Sequence, residues 1–592
     1  MGRRKVGQHA RGSEVITLSS FAMKRLIIRL LIVVGTVANA CFCGIQAQTA
    51  PGKYWVRFTD KSNSPYSLSR PEECLSSKCI ERRDRLSLGF DELDLPVNQT
   101  YIDQVLAMGP GLLHHKSKWF NAITISTEDT TWLAEVSALP FVAEVRSAIV
   151  HDEALSGAKR TFPDKFKIED SGYALLKQTT LCDTFPLYGM AWRQTEMINA
   201  HWLHSLGFMG AGIDIAQFDA GWSRTDLLPA FDRLRGEGRI KMTRDFVFPD
   251  NPNVYTYNSH GTSVLSIMAS WLPGEMVGVA PEANYYLFRT EDPFSEFPVE
   301  TDNWVVAAEL CDSLGIDIIN SSLGYSLFDD PGYDFSYADM NGATVHCSIA
   351  AAIAARKGIL VVNSAGNSGD DPWRFITAPS DAEGILCVGA ADAQENHAWF
   401  SSYGPSADGR VKPDVSAMGA ATAYAAQDST IRTGNGTSFS SPLIAAASAC
   451  LYQAFPNASS MLLRDAIVRS ASSYAAPTDS LGNGIADYYK AWQLMQGPTS
   501  VEGDFSASVY PNPCTQSMRV ILDDAKSCNV QYAIYDAMGR RCFLSAGLVA
   551  VDGHGTFSID NAVEALPVGN YTLHIFWELR NSMVSFTKFT SP

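Results

Sequence analysis

Residues 434–442 have the sequence Gly-Asn-Gly-Thr-Ser-Phe-Ser-Ser-Pro and lead directly into an apolar, alanine-rich segment, 443–454. A glycine-rich turn before a segment of helical length predicts a helix that begins near Ser438. The first N–H groups of a helix lack intrahelical partners, and the helix dipole favours negative charge there. Ser438 in this position could attack a carbonyl while its own N–H stabilises the oxyanion. Pro442 costs little if it falls within the first turn.

Taken alone, this stretch is more often a simple helix cap, because Ser and Thr cap helix N-termini well. It predicts catalysis only if a base, an acid and a second oxyanion donor lie elsewhere in the chain.

Composition limits the classes of protein that this chain can be. Its 592 residues are too many for one hydrophobic core, so several domains are expected. The hydrophobic fraction of 46% and charged fraction of 18% are typical of a globular protein. The net charge of -17 argues against a nucleic-acid partner.

The 12 cysteines show no zinc-site spacing, so no metal–thiolate site is expected. Cys74 and Cys79, or two of Cys514, Cys528 and Cys542, could form local disulfides, and buried free thiols explain the others equally well.

The chain divides into six segments. Residues 1–47 are interpreted as an N-terminal extension and a signal peptide, because Met23-Lys-Arg precedes an apolar run that is short for a membrane anchor. A true start at Met23 would leave the residues before it without a role. Residues 48–155 predict a small α+β domain, with strands at 53–58, 121–125 and 142–145 and helices at 101–108 and 129–139. Residues 156–187 are polar and irregular, as in a cleavable linker.

Residues 188–496 alternate between β-type and helical runs, which predicts an α/β domain with a parallel sheet and helices on both faces. In such sheets the chemistry lies beyond the carboxyl ends of the strands. Residues 497–505 form a linker, and residues 506–592 have a period of two with frequent turns, which predicts a β-sandwich. The predicted strands of the α/β domain are 213–218, 284–288, 316–320, 359–363 and 385–389, and its helices are 260–270, 302–314, 344–357 and 438–455.

Three further residues complete a possible site with Ser438. Asp219 follows a buried strand, where it could orient a base, although a lone Asp there is more often a turn residue. His260 stands at a glycine-marked helix entrance, although such a His is more often structural. Asn367 follows another strand and could donate to an oxyanion, although Asn after Gly usually marks a turn.

These stretches resemble the four signature motifs of the subtilases, the subtilisin-like serine endopeptidases. The motifs are Asp219-Ala-Gly, His260-Gly-Thr, Ala365-Gly-Asn and Gly436-Thr-Ser, in the chain order Asp, His, Ser. The resemblance covers residues 188–495. It implies Ser438 as nucleophile, His260 as general base and Asp219 as the residue that orients it.

The resemblance further implies that Asn367 and the Ser438 N–H form the oxyanion hole. Ser322, Leu323 and Gly324 would pair with the peptide backbone as an edge strand, beside Ala365 and Gly366. Asp370 and Asp371 lie in the loop that shapes the primary specificity pocket in the family, and solvent-facing carboxylates explain them more simply than a preference for basic residues. The resemblance implies no cofactor for the chemistry; structural calcium is compatible with it, without assigned ligands.

The flanking domains extend the resemblance. Residues 52–150 are similar to the ferredoxin-like propeptide that assists the folding of subtilases and inhibits them. The C-terminal segments Val509-Tyr-Pro-Asn-Pro, 533–539 and 566–571 resemble the type A sorting domain of the type IX secretion system. This implies a Gram-negative bacterium, export through the periplasm, the secretion machinery as partner and a protein released or attached at the cell surface. Protein or peptide substrates are expected, and no transmembrane helix in the mature form.

One alternative remains open at this stage, and two others are disfavoured. Ala220 stands where the family usually has Ser or Thr, which supports a catalytically impaired subtilase fold that acts as a surface binding module. An α/β-hydrolase esterase would need Gly-x-Ser-x-Gly, and the sequence after Ser438 lacks the last glycine. A sedolisin-like acid peptidase is disfavoured by the complete His260-Gly-Thr motif.

Overall fold

The structure is a computed structural model that describes residues 52–62, 64–149, 165, 166, 168–170, 187–496, 507–512, 514–522, 529–536, 541–545, 549–552, 555–577 and 580–588. The predicted signal peptide, the second linker and most of the first linker lie outside the described residues. In the described part of the chain, no helix is long and apolar enough to span a membrane.

The N-terminal domain has the element order of a ferredoxin-like fold, with one additional helix. Its four-stranded sheet has the order β2-β3-β1-β4. Val56, Ile123 and Trp132 lie in its core, as the alternation of apolar residues predicts. The strands are β1 (Gly52–Phe58), β2 (Leu112–Ser117), β3 (Ala122–Thr127) and β4 (Val142–Ile149), and the helices are α1 (Ser77–Leu86), α2 (Gln99–Leu106) and α3 (Leu133–Ser137).

Two features of this domain differ from the sequence expectation. The helix predicted over 129–139 is shorter, because the Asp129 carboxylate accepts hydrogen bonds from the N–H and hydroxyl of Thr131 and closes a turn before α3. Helix α1 was not predicted, since five of its ten residues are Arg, Lys or Asp, yet Arg82 and Arg83 are buried.

A seven-stranded sheet forms the centre of the large domain, in the order β14-β13-β12-β11-β6-β10-β7, and every pairing in it is parallel. All residues of β6, β12 and β13 are buried, as expected for a sheet covered on both faces. The strands are β6 (Asp214–Asp219), β7 (Ile240–Asp245), β10 (Asn284–Arg289), β11 (Ile318–Ser321), β12 (Leu360–Ser364), β13 (Leu386–Ala391) and β14 (Val415–Met418).

Helices cover both faces of this sheet, which confirms the predicted α/β class. Ile215 packs in one core cluster with Leu265 and Leu443, whereas its neighbour Ala216 packs in another cluster with Trp304 and Ala351. The helices are α4 (Trp192–Met197), α5 (Ala200–Ser205), α6 (Asp232–Gly236), α7 (His260–Ala269), α8 (Val299–Leu314), α9 (His346–Arg356), α10 (Thr437–Ala454), α11 (Ser460–Ser470) and α12 (Tyr488–Met495).

Short elements surround the sheet. A small sheet has the order β15-β16-β5, and β8 pairs with β9. These strands are β5 (Glu169–Asp170), β8 (Trp271–Leu272), β9 (Met276–Val277), β15 (Thr422–Ala425) and β16 (Ile431–Asn435), and single 3-10 turns span Pro71–Glu73, Glu92–Asp94, Pro229–Phe231, Pro331–Tyr333 and Tyr337–Asp339.

The C-terminal domain is rich in antiparallel strands, in line with the predicted β-sandwich. Val520, Phe557, Ile534 and Leu573, from its two sheets, share one core. One sheet contains β17 (Ala507–Tyr510), β18 (Arg519–Leu522) and β22 (Thr556–Ser558), and the other contains β19 (Asn529–Asp536), β20 (Arg541–Leu544), β21 (Val549–Ala550), β23 (Gly569–Trp577) and β24 (Arg580–Lys588), with helix α13 (Asp560–Ala565).

The N-terminal domain is held on helix α8 by buried charges. Asp312 is fully buried and accepts hydrogen bonds from Arg82 and Arg83 at 2.8 Å each and from Lys118 at 3.2 Å. Burial alone would raise the pKa of Asp312, but the three cations outweigh it and lower that pKa. The Glu309 carboxylate, one helical turn earlier, accepts the hydroxyl of Ser117 at 2.6 Å.

The cysteines correct one expectation. Cys74 and Cys79 are free thiols, so the local disulfide suggested by their spacing is not formed. The sulfur of Cys79 lies instead 3.9 Å from the Asp312 carboxylate, inside the charged cluster. Cys514 is also a free thiol, and Cys528 lies outside the described residues.

Candidate active site

The predicted site residues converge at one edge of the parallel sheet. β6, β11 and β12 are neighbours in the sheet, and Asp219 ends β6, Ser322 follows β11 and Asn367 lies three residues after β12. The parallel ladder brings these carboxyl ends to the same edge. Helices α7 and α10 begin there with His260 and Thr437.

Asp219 and His260 form a direct hydrogen-bonded pair. The Nδ1 atom of His260 lies 2.8 Å from Oδ1 of Asp219. Asp219 is fully buried and His260 is 6% exposed. The backbone N–H of His260 donates to Oδ1 of Asn258 at 2.8 Å, which fixes the start of α7. This arrangement leaves Nε2 as the ring nitrogen available for proton transfer.

Gln217 supports the Asp219 carboxylate and was not identified from the sequence. Its Nε2 donates to Oδ2 of Asp219 at 3.2 Å and to the carbonyl of Gly261 at 2.9 Å, while its Oε1 accepts from Trp222 at 3.1 Å. The N–H of Ala220 donates to the other carboxylate oxygen at 2.8 Å. The carboxylate therefore keeps donors on both oxygens although residue 220 has no hydroxyl. Gln217 is a polar residue in the middle of the buried strand β6, and this position is the sequence feature by which it could have been found.

Ser438 is the second residue of α10, as the turn–helix pattern predicts. Its hydroxyl donates to the carbonyl of Ser322 at 3.4 Å. Among the described residues it makes no hydrogen bond to the ring of His260.

Pro442 corrects a detail of the sequence expectation. It is the sixth residue of α10 and lies beyond the first turn. Without an N–H, it cannot donate to the carbonyl of Ser438, four residues earlier. The hydroxyl of Ser322 takes that place and donates to the Ser438 carbonyl at 3.1 Å. The proline thus ties the start of α10 to the end of β11.

Nδ2 of Asn367 and the backbone nitrogen of Ser438 lie near a common point. Oδ1 of Asn367 accepts the N–H and the hydroxyl of Thr437 at 2.8 Å each, which leaves Nδ2 as the free end of the amide. A side-chain carbon on Gly436 would lie 3.6 Å from the Ser438 nitrogen and 3.7 Å from Nδ2 of Asn367. Glycine therefore keeps open a space between two N–H donors, which suits a developing oxyanion.

The remaining predicted residues make local contacts beyond the carboxyl ends of β11 and β12. The carbonyl of Leu323 accepts the Asn363 amide at 2.9 Å, and a side chain on Gly324 would meet the Thr377 hydroxyl at 2.1 Å. Ala365 and Gly366 use their N–H groups internally, bonding to Val388 at 2.9 Å and to the Thr437 hydroxyl at 3.2 Å. Gly366 has a φ of +110, a backbone conformation that favours glycine.

A segment of the predicted linker enters this cleft. The ring of Phe166 lies 5.2 Å, centroid to centroid, from the ring of His260. Glu169 and Asp170 pair antiparallel with Asn435 and Gly434 of β16, immediately before the Ser438 turn. The chain therefore crosses the site with its residue 166 at His260 and its residue 169 at the strand that leads to Ser438.

Lys165, beside Phe166, lies among three glutamates that the sequence did not single out. Its Nζ is 2.6 Å from Glu296, 2.8 Å from Glu300 and 3.6 Å from Glu291. The side chains of Glu291 and Glu300 are 2% exposed. Burial raises the pKa of Glu296 to about 7, although Lys165 opposes this shift. Burial alone would lower the pKa of Lys165, but the three carboxylates outweigh it and raise that pKa.

Within the described ranges, no group of three or more His, Cys, Asp or Glu side chains is arranged to hold a metal ion.

Comparisons with known proteins agree with this geometry. Residues 210–484 match the Subtilase family, and residues 53–161 match the Peptidase S8 propeptide domain of Bacteroidota. The chain is 26% identical over 413 residues to Subtilisin-like protease SBT6.1 of Arabidopsis thaliana, covering 65% of this chain and 37% of that protein. It is 27% identical over 313 residues to the Membrane-bound transcription factor site-1 protease of Rattus norvegicus, covering 51% and 27%. It is 29% identical over 285 residues to Subtilisin Savinase of Lederbergia lenta, covering 48% and 92%.

The matched region differs in extent among these relatives. The chain spans 37% of the Arabidopsis protein and 27% of the rat protein, whereas it spans nearly all of the shorter Savinase. The similarity therefore applies mainly to the segment that contains the site.

Proposed function

We propose that the protein is a serine endopeptidase synthesised as a zymogen, and the match of residues 210–484 to the Subtilase family supports this proposal. The substrate would be a protein or peptide bound in extended form along Ser322, Leu323 and Gly324. The observation that carries the proposal is the 2.8 Å contact between Asp219 and His260 at the same sheet edge as Ser438.

In the proposed mechanism the Ser438 hydroxyl turns from the Ser322 carbonyl toward Nε2 of His260. His260 takes the hydroxyl proton as Ser438 attacks the scissile carbonyl, and later gives that proton to the leaving amine. Asp219 holds the imidazole by its Nδ1 atom and stabilises the imidazolium. Water then hydrolyses the acyl-enzyme by the same route.

Oxyanion stabilisation is assigned to Nδ2 of Asn367 and the N–H of Ser438. The space between these donors, kept open by Gly436, supports this assignment. One side-chain donor of this kind contributes about 3 to 4 kcal/mol to transition-state stabilisation, a magnitude established in subtilisin.

Zymogen behaviour is supported by the propeptide match over residues 53–161 and by the segment at Phe166 that lies against His260. The N-terminal domain would inhibit the enzyme until the chain is cut near the cleft. A fluorophosphonate probe tests the whole proposal: it should label processed wild-type protein and fail to label Ser438→Ala. Processed protein that stays unlabelled would favour the alternative, a binding module on a subtilase scaffold.

The destination of the protein is a second part of the proposal. A signal peptide before residue 48 and a C-terminal type IX sorting domain would export the chain through the periplasm of a Gram-negative bacterium to its surface or medium. The Bacteroidota match of the propeptide supports this assignment. Deletion of residues 506–592 should retain the protein in the periplasm, and unchanged secretion of the truncated chain would contradict this route.

A further inference from the structure

We propose that Glu291, Glu296 and Glu300 form a substrate subsite for a lysine side chain, two residues or more before the scissile bond. The inference rests on the proposed peptidase function, because it names the substrates that the same cleft selects. Lys165 occupies this subsite in the uncut chain.

The orientation of the segment places Lys165 on the acyl side of the bond to be cut. Phe166 lies at the ring of His260, and Glu169 pairs with Asn435, three residues before Ser438. These two contacts lie on either side of the bond that we propose is cut, between residues 166 and 169. Lys165 precedes it, as an acyl-side residue of a bound substrate would.

The three carboxylates converge on one ammonium group. Nζ of Lys165 lies 2.6 Å from Glu296, 2.8 Å from Glu300 and 3.6 Å from Glu291. Its side chain is only 18% exposed, so the contact is largely removed from water. A cation held by several carboxylates in such surroundings is bound far more selectively than at an open surface.

Glu291 and Glu300 have additional structural contacts. Oε1 of Glu291 accepts the hydroxyls of Tyr325 and Thr290, and Glu300 accepts the N–H groups of Asp292 at 2.8 Å and Phe297 at 3.2 Å. These bonds fix two carboxylates in place before any ligand arrives. Preorganised charge of this kind favours binding because it is not reordered when the ligand binds.

Glu296 makes the most specific contribution. Among the described residues, the partner of its carboxylate is Lys165. Its side chain is 12% exposed, so its charge is largely buried. When the segment leaves the cleft, the three carboxylates lose their cation, and a lysine of the next substrate restores the pairing. An aliphatic side chain cannot replace it, because it offers no charge or hydrogen-bond donor to the three glutamates.

Two quenched fluorogenic peptides test this proposal with mature enzyme. One carries the sequence of residues 163–172, Pro-Asp-Lys-Phe-Lys-Ile-Glu-Asp-Ser-Gly. The other replaces the lysine at the position of Lys165 by norleucine, which keeps the length and removes the charge. We expect kcat/KM for the lysine peptide to be at least about 10-fold higher, the effect typical of a charged hydrogen bond. Equal values for the two peptides would overturn the proposal.

Variants assign the preference to the cluster. Glu296→Gln should reduce the lysine preference to less than about 3-fold, since it removes the carboxylate without a structural partner. Glu395→Gln, which alters an exposed pair with Arg193, serves as the matched control and should retain the preference. A Glu296→Gln enzyme that discriminates as well as wild type would also overturn the proposal.

A third measurement separates this proposal from the peptidase function. Each peptide is tested for protection of Ser438 against the fluorophosphonate probe. A site that reacts with the probe but is protected equally by both peptides contradicts the lysine subsite and leaves the nucleophile assignment intact. A processed protein that neither reacts with the probe nor cleaves either peptide contradicts the function on which the subsite rests.

Discussion

Phe166 packs against the imidazole of His260, with ring centroids 5.2 Å apart and ring planes at 52°. A side chain in this position occupies the space that a substrate would need beside the proposed base. We therefore interpret the segment at Phe166 as a block on the proposed site.

Maturation should cut the chain within this segment. N-terminal sequencing of mature protein is expected to place the new terminus between residues 167 and 169, because Phe166 contacts His260 and Glu169 pairs with Asn435, three residues before Ser438. Ser438→Ala should abolish the cut if maturation is autocatalytic. Wild-type trimming of that variant would identify another protease as responsible.

Gln217 should affect catalysis more than binding. Gln217→Met removes the donor 3.2 Å from Oδ2 of Asp219 and keeps the side-chain volume similar. A hydrogen bond to a charged group is worth about 1.5 to 3 kcal/mol, so kcat should fall about 10-fold or more while KM stays nearly constant.

Adding Ala220→Ser to Gln217→Met provides the control, since it introduces a hydroxyl beside the same carboxylate. Partial recovery of kcat is expected. A KM that rises in parallel with the loss of kcat would instead indicate a general distortion of the cleft.

The buried charges between the N-terminal domain and the α/β domain should stabilise the zymogen specifically. Asp312→Asn removes the negative charge that Arg82, Arg83 and Lys118 share. Breaking a buried ion pair of this kind lowers the free energy of unfolding by about 3 to 5 kcal/mol. Urea unfolding of the uncut chain, in a Ser438→Ala background, measures this loss.

Arg57→Gln is the matched control, because the Arg57–Glu144 pair is 45% and 43% exposed and such pairs contribute less than about 1 kcal/mol. Equal effects of the two substitutions would show that the charges around Asp312 do not hold the N-terminal domain in place.

Glu296 should give the zymogen a distinct pH dependence. Burial raises its pKa to about 7 against the opposing effect of Lys165, while Glu291 and Asp329 face it with like charge. A folded-state pKa above the unfolded value of about 4.3 stabilises the protonated folded form. This contribution is complete below the unfolded pKa and is lost as the pH rises through about 7.

The measurement compares unfolding free energies of Ser438→Ala with and without Glu296→Gln between pH 4.5 and 7.5. The advantage of the Glu296 protein should shrink as the pH rises. An advantage that grows with pH would contradict the raised pKa.

The sheet edge was predictable because the motifs follow buried strands, and adjacent parallel strands end together. Asp219, His260, Asn367 and the start of α10 near Ser438 could therefore be placed together from sequence. The signature motifs carry this information locally, within a few residues of each strand or helix end.

The supporting contacts were not predictable, since they depend on residues far apart in the chain. In the sequence, three glutamates look like ordinary charged residues of a loop and a helix: Glu291, Glu296 and Glu300. Only the structure shows that they meet around Lys165. The sequence drew attention instead to Asp370 and Asp371, which are exposed, and Asp371 closes a turn by accepting the N–H of Trp373 at 3.0 Å.

The central claim is that Ser438 is the nucleophile of a peptidase that its own chain blocks. The most direct measurement is the mass of the protein after fluorophosphonate treatment, with peptide mapping of the modified residue. The account predicts one adduct on Ser438 in processed protein, little reaction in the uncut chain, and none in Ser438→Ala. An adduct on another residue, or processed protein without any adduct, would contradict it.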